Sequence, residues 1–88
     1  MKNLIESNYQ SILKRGLINE NTTSLDFIMK LEEEVQEFIE AEKFGLENEN
    51  EELADIILVC FNIAKHYDID IEKELKNKIE INNKRANN

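Results

Sequence analysis

The stretch Leu25-Asp26-Phe27-Ile28-Met29-Lys30-Leu31-Glu32-Glu33-Glu34-Val35-Gln36-Glu37-Phe38 decides the fold, because its apolar residues recur every three or four positions. Leu25, Ile28, Leu31, Val35, Phe38 and Glu42 fall on one line of a helix that is apolar until its last member. Upstream, Thr23 suits the N-cap, where a hydroxyl accepts from a backbone N–H of the first turn. Downstream, Gly45 suits the left-handed residue that ends a helix. Working outward, Gly16 closes a first helix expected over Lys2 to Arg15, and Asn19-Glu20-Asn21-Thr22-Thr23 reads as a loop. Past Gly45, Leu46 to Asn50 is a polar connection, and a third helix is expected from about Glu49 to His66. The centre of that helix is apolar almost all round, the pattern of a helix packed on several sides, and in so small a chain this implies a second subunit. Asp70 is expected to cap a fourth helix with Ile71, Leu75, Ile79 and Asn82 along one side. Its Glu72 and Glu74 come early and its Lys84 and Arg85 late, as the helix dipole favours. The expected fold is all-α: one small domain over residues 1–88, with three main helices and a short N-terminal one, assembling into an oligomeric helix bundle.

Composition narrows the function classes. A chain of 88 residues buries only about two-thirds of its unfolded surface, and many of its kind need a staple or a partner. Disulfides are not that staple, because Cys60 is the only cysteine, and its apolar surroundings in sequence suggest a small core residue. The start, Met1-Lys2-Asn3-Leu4-Ile5-Glu6-Ser7-Asn8, lacks the apolar core of a signal peptide, so a cytoplasmic location is expected. The longest apolar run, Ile56 to Phe61, is far short of a membrane span. The net charge is −8, and between Leu31 and Asp55 eleven acids stand against the single base Lys43. That sign disfavours phosphate-backbone contact and so excludes nucleic acid as the expected partner. A concentrated acidic centre is either a solvated surface or a site for cations.

Two acidic pairs favour the second alternative. In Glu33-Glu34-Val35-Gln36-Glu37, Glu34 and Glu37 share a helix face, and Glu33 can reach Glu37. In Glu52-Leu53-Ala54-Asp55 the same three-residue step recurs. A short loop makes the two helices antiparallel neighbours, so Glu34 and Glu37 can face Glu52 and Asp55. Four carboxylates in one partly buried cluster repel one another, and a hard divalent cation, Mg²⁺ or Mn²⁺, relieves that repulsion. Magnesium held by carboxylates usually coordinates a substrate phosphate too, the arrangement that hydrolysis of a phosphoanhydride requires. On the fourth helix Lys78, Asn82 and Arg85 lie on one face, and such donors can hold nucleotide phosphates.

These residues together resemble the MazG-like, all-α nucleoside triphosphate pyrophosphohydrolase family. The resemblance covers about Ser24 to Arg85 and rests on four segments in order. They are Lys30-Leu31-Glu32-Glu33-Glu34-Val35-Gln36-Glu37-Phe38, Glu51-Glu52-Leu53-Ala54-Asp55-Ile56-Ile57, Asp68-Ile69-Asp70-Ile71 and Lys78-Ile79-Glu80-Ile81-Asn82-Asn83-Lys84-Arg85. Gln36 stands where the family usually has Gly. The resemblance implies Mg²⁺-dependent hydrolysis of (d)NTPs between the α- and β-phosphates, giving a nucleoside monophosphate and pyrophosphate, in a house-cleaning role. It implies Glu34, Glu37, Glu52 and Asp55 as metal ligands, with Mn²⁺ a possible substitute. On the same resemblance Glu33 is the candidate for orienting or deprotonating the attacking water, and Lys78, Asn82 and Arg85 are implied as phosphate contacts. It also implies a homodimer, or a tetramer built from dimers, with sites near the subunit interface.

Two rival functions use the same residues differently: a non-catalytic, metal-dependent binder that sequesters a nucleotide, and a purely structural helical oligomer. A di-iron bundle fits badly, because it needs Glu-x-x-His pairs and the position three before His66 is Ile63. His66 is expected to be a partly exposed structural residue. Asn62, polar on an apolar helix, must find a partner. Phe27, Phe38, Phe44, Phe61, Tyr9 and Tyr67 are expected in the core, with Tyr9 the one aromatic group considered for stacking on a base.

Overall fold

In the computed structural model, which describes residues 2–87, four helices account for the regular structure, and among the described residues there are no strands. They are α1 (Lys2–Lys14), α2 (Ser24–Phe44), α3 (Glu49–His66) and α4 (Ile71–Ala86). The expected boundaries hold because their chemistry is local. The Thr23 hydroxyl accepts from Asp26 N at 3.3 Å while the Asp26 carboxylate accepts from Thr23 N at 2.9 Å, a reciprocal cap that starts α2. Gly45 ends the same helix at φ 63°, a left-handed conformation that costs glycine no side-chain clash. Asp70 Oδ1 accepts from Lys73 N at 3.1 Å and starts α4.

Helices α2 and α3 make the principal contact, and α1 lies against α3. The pairing is antiparallel: the Phe27 and His66 rings are 5.0 Å apart at one end, and Glu34 and Glu37 meet Glu52 at the other. Three side-chain contacts fasten α1 to α3. Asn8 Nδ2 donates to Asn62 Oδ1 at 2.6 Å, Tyr9 Oη bonds His66 Nδ1 at 2.9 Å, and Lys65 pairs with Glu6 at 2.7 Å. The small core joins Ile12, Ile18 and Phe27, with Tyr9 and Ile63 packed against it.

The buried line of α2 is rotated from the one expected. Phe27, Glu34 and Ala41 are buried and Leu31 and Phe38 half-buried, whereas Leu25, Ile28 and Val35 are exposed. The steps from 27 to 31, 34, 38 and 41 are those of a coiled-coil seam, and the seam places Glu34 where an apolar residue would pack.

Several apolar residues lie outside the core. Cys60, expected inside, is exposed, on the same side of α3 as exposed Leu53 and Ile57. α3 carries more apolar surface than α1 and α2 can cover. Phe44 and Tyr67 are likewise exposed: Phe44 is the last residue of α2, and Tyr67 turns its hydroxyl to Ser24 Oγ at 2.8 Å. Helix α4 makes no more than marginal contact with the other three, which leaves Leu75, Ile79 and Ile81 exposed. No described helix is long and apolar enough to cross a membrane.

Candidate metal centre

Glu34 and Glu37 on α2 and Glu52 on α3 each present one carboxylate oxygen, and these atoms all lie within 4.8 Å of one another. The seam of the helix pair creates the arrangement. Glu34 is a seam residue at 6 % exposure, Glu37 follows on the same face one turn later, and half-buried Glu52 comes up from the first turn of α3. Negative charge at that helix start is favoured by the dipole, so part of the cluster's cost is offset by the backbone.

Each of the two more buried acids has one oxygen partnered and one free. Glu34 Oε1 is 3.0 Å from Lys30 Nζ, and Glu52 Oε1 accepts from Asn48 Nδ2 at 2.9 Å. Glu34 Oε2 and Glu52 Oε2 are buried with no hydrogen-bond partner. A buried oxygen left unpaired costs about 1–3 kcal/mol, and more when it carries charge. Glu37 absorbs some of the repulsion. Its carboxyl is pushed up to about 7, chiefly by the charge of Glu34, then by loss of hydration and by its contacts with Glu34 and Glu52. At neutral pH the cluster therefore holds a proton for part of the time. Two unpaired buried oxygens beside a carboxyl pushed up by its neighbours' charge fit a hard divalent cation, which would supply the missing partners and relieve the repulsion.

The other expected site residues are placed less centrally. Asp55, one turn beyond Glu52, is exposed and stands outside the three-carboxylate group. Glu33 is exposed and lies 3.7 Å from Lys30 Nζ. Lys78, Asn82 and Arg85 are exposed on α4, which does not pack across α2 and α3, so this chain alone does not bring them to the carboxylates. Tyr9 is held at His66 in the α1–α3 contact, and the two rings lie 6.3 Å apart. His66 is half-buried there and structural, and Asn62 has found its partner in Asn8.

A cleft of about 450 Å³ opens between α1, the loop that follows it, α2 and α3, with Lys30 and Glu33 at its edge. Its lining comes from α1, the loop after it, α2 and α3, so no local motif marks it. Compared with family models, with curated proteins and with solved structures, the chain matches none.

Proposed function

We propose that this protein is a Mg²⁺-dependent nucleoside triphosphate pyrophosphohydrolase of the MazG-like kind, cleaving (d)NTPs between the α- and β-phosphates. The observation that carries this reading is the pair of unpartnered buried oxygens, Glu34 Oε2 and Glu52 Oε2, on the two carboxylates that cluster with Glu37. An acidic face that was merely solvated would keep those oxygens in water. Glu34, Glu37 and Glu52 would hold the cation, with Asp55 next in line from the following turn of α3. A cation bound there supplies charge neutralisation for phosphate oxygens and activation of water.

The protein's own groups do the rest. Glu33, exposed at the cleft edge and 3.7 Å from Lys30 Nζ, is the carboxylate assigned to accept the proton of the attacking water. The water oxygen bonds to the α-phosphorus, the bridging α–β P–O bond breaks, and pyrophosphate departs with the electron pair. Lys78, Asn82 and Arg85 suit the departing phosphates by charge and hydrogen bonding. Because α4 does not cover the α2–α3 pair within one chain, these contacts are assigned to α4 of a second copy in a homodimer or a dimer of dimers. The exposed apolar residues of α3 (Leu53, Ile57) and of α4 (Leu75, Ile79) support such a pairing.

A non-catalytic binder that sequesters nucleotides is favoured by one observation, that Asp55 and the α4 cations lie outside the cluster in the single chain. Pyrophosphate release from the eight common NTPs and dNTPs separates the two readings. The enzyme releases it with Mg²⁺, not with EDTA, and not after Glu37→Gln. Absence of release, with nucleotides still raising the melting temperature, makes the protein a binder.

A further inference from the structure

The cleft beside the carboxylates has an apolar part and a charged edge, where Lys30 pairs with Glu33 and Glu34. Ile12, Ile18, Phe27 and Val59, all of them buried, line the apolar part, which favours an uncharged group. At about 450 Å³ it falls within the range of small-molecule sites, roughly 300–1,000 Å³. Two of its polar residues are occupied in holding the backbone. Thr22 Oγ1 accepts from Asn19 N at 2.9 Å, and the Asp26 carboxylate accepts from Thr23 N at 2.9 Å. Asn62 differs. It is 7 % exposed, and its Oδ1 is held by Asn8 Nδ2 at 2.6 Å, which leaves its own Nδ2 as a donor on the cleft wall.

The cleft also touches the cluster. Lys30 lines its edge and is 3.0 Å from Glu34 Oε1. Along α3, Asn62 lies ten residues beyond Glu52, about 15 Å at 1.5 Å per residue. One ligand reaching both must be long, with its negative end at the carboxylates and a neutral, hydrogen-bonding end at Asn62. Inorganic polyphosphate lacks the second end and a free base lacks the first.

We propose that this cleft is the nucleoside subsite, taking the base of the metal-bound triphosphate, and that Asn62 Nδ2 donates to an acceptor on the edge of that base. The assignment rests on the function proposed above and adds to it the place and the residue that sense the organic half of the substrate. Ile12, Ile18 and Val59 supply the apolar contact, and Asn8 fixes the Asn62 amide so that it presents a donor rather than an acceptor.

The test is methyl and amide NMR on the full chain with Mg²⁺, adding either inorganic triphosphate or non-hydrolysable α,β-methylene analogues of the eight nucleotides. Inorganic triphosphate should move the amides around Glu34 and Glu52 and leave the Ile12, Ile18 and Val59 methyls in place. The nucleotide analogues should move both sets. Asn62→Leu should weaken analogue binding about tenfold, by loss of one buried hydrogen bond, and leave inorganic triphosphate binding unchanged. Asn62→Asp, similar in shape, should do the same and guards against misfolding of the Leu variant. Analogues that move only the carboxylate region would overturn the cleft assignment and leave the proposed function standing. If neither compound moves that region, the proposed function falls and the subsite with it. Cleft methyls that shift with protein concentration alone would give the cleft to a second copy of the chain.

Discussion

Replacing Glu34 by Met separates a metal centre from an ordinary ion pair, because the two predict opposite signs. Without metal, Glu34→Met removes a buried oxygen that has no partner, a gain of about 1–3 kcal/mol. It also removes the 3.0 Å contact with Lys30, whose side chain is 51 % exposed and returns to water, a loss of about 0–1 kcal/mol. The net is a stabilisation of about 1.5 kcal/mol, on the order of 6–12 °C in Tm for a domain of this size. With Mg²⁺ at a hundred times its Kd the unchanged protein gains about 2.7 kcal/mol, and the variant gains little. The order of stability should therefore reverse: the variant melts higher in EDTA and lower in saturating Mg²⁺. Circular dichroism at 222 nm reads both conditions at one fixed protein concentration. A variant that melts lower than the parent in EDTA, with Mg²⁺ shifting neither, would refute the reasoning and make Glu34 a structural partner of Lys30.

Other expectations are read from single sites. The Glu37 carboxyl, at about 7 in the folded chain against 4.5 otherwise, holds its proton more tightly when folded. Its contribution to stability is therefore complete below about pH 4.5 and lost as pH rises through about 7. Metal-free Tm should fall between pH 5 and 8 while Mg²⁺ affinity rises, and Glu37→Gln should flatten both trends in melts and calorimetry. Thr23→Ala removes the reciprocal cap of α2, should cost about 1 kcal/mol in denaturant titration, and should leave the Mg²⁺-induced rise in Tm intact. Cys60 is exposed in the single chain, so its thiol should react readily with a disulfide reagent in dilute solution. Protection that grows with protein concentration is the outcome expected if a second copy covers the Leu53, Ile57 and Cys60 side of α3; reactivity that does not change would remove that face from any interface.

The helix boundaries were legible because caps are local: Thr23, Gly45 and Asp70 act on groups within four residues of themselves. The contact among Glu34, Glu37 and Glu52 was legible because helical spacing and one short turn suffice to bring them together. What the periodicity misjudged was the rotation of α2. Leu25, Ile28 and Val35 satisfy the apolar pattern as well as Phe27, Leu31 and Phe38 do, and only packing against α3 chooses between the two lines. On the second line Glu34 is a carboxylate in a seam, a sharper signal than its place in an acidic motif. Cys60 was misplaced for a related reason: an apolar neighbourhood in sequence says that a residue can be buried, not that one chain has enough surface to bury it. The cleft and the place of Asn62 in its wall depend on α1, the loop after it and α2 meeting α3, and no short-range pattern encodes that meeting.

The central claim is that Glu34, Glu37 and Glu52 hold a divalent cation, and Mn²⁺ titration followed by electron paramagnetic resonance tests it without reference to activity. The free Mn²⁺ signal should be lost on addition of the protein with at least one saturable site per chain, and Mg²⁺ should restore it by competition. The Glu34→Gln, Glu52→Gln double variant, folded by circular dichroism, should leave the signal free. Equal binding by the parent and the double variant, or none by either, would contradict the account.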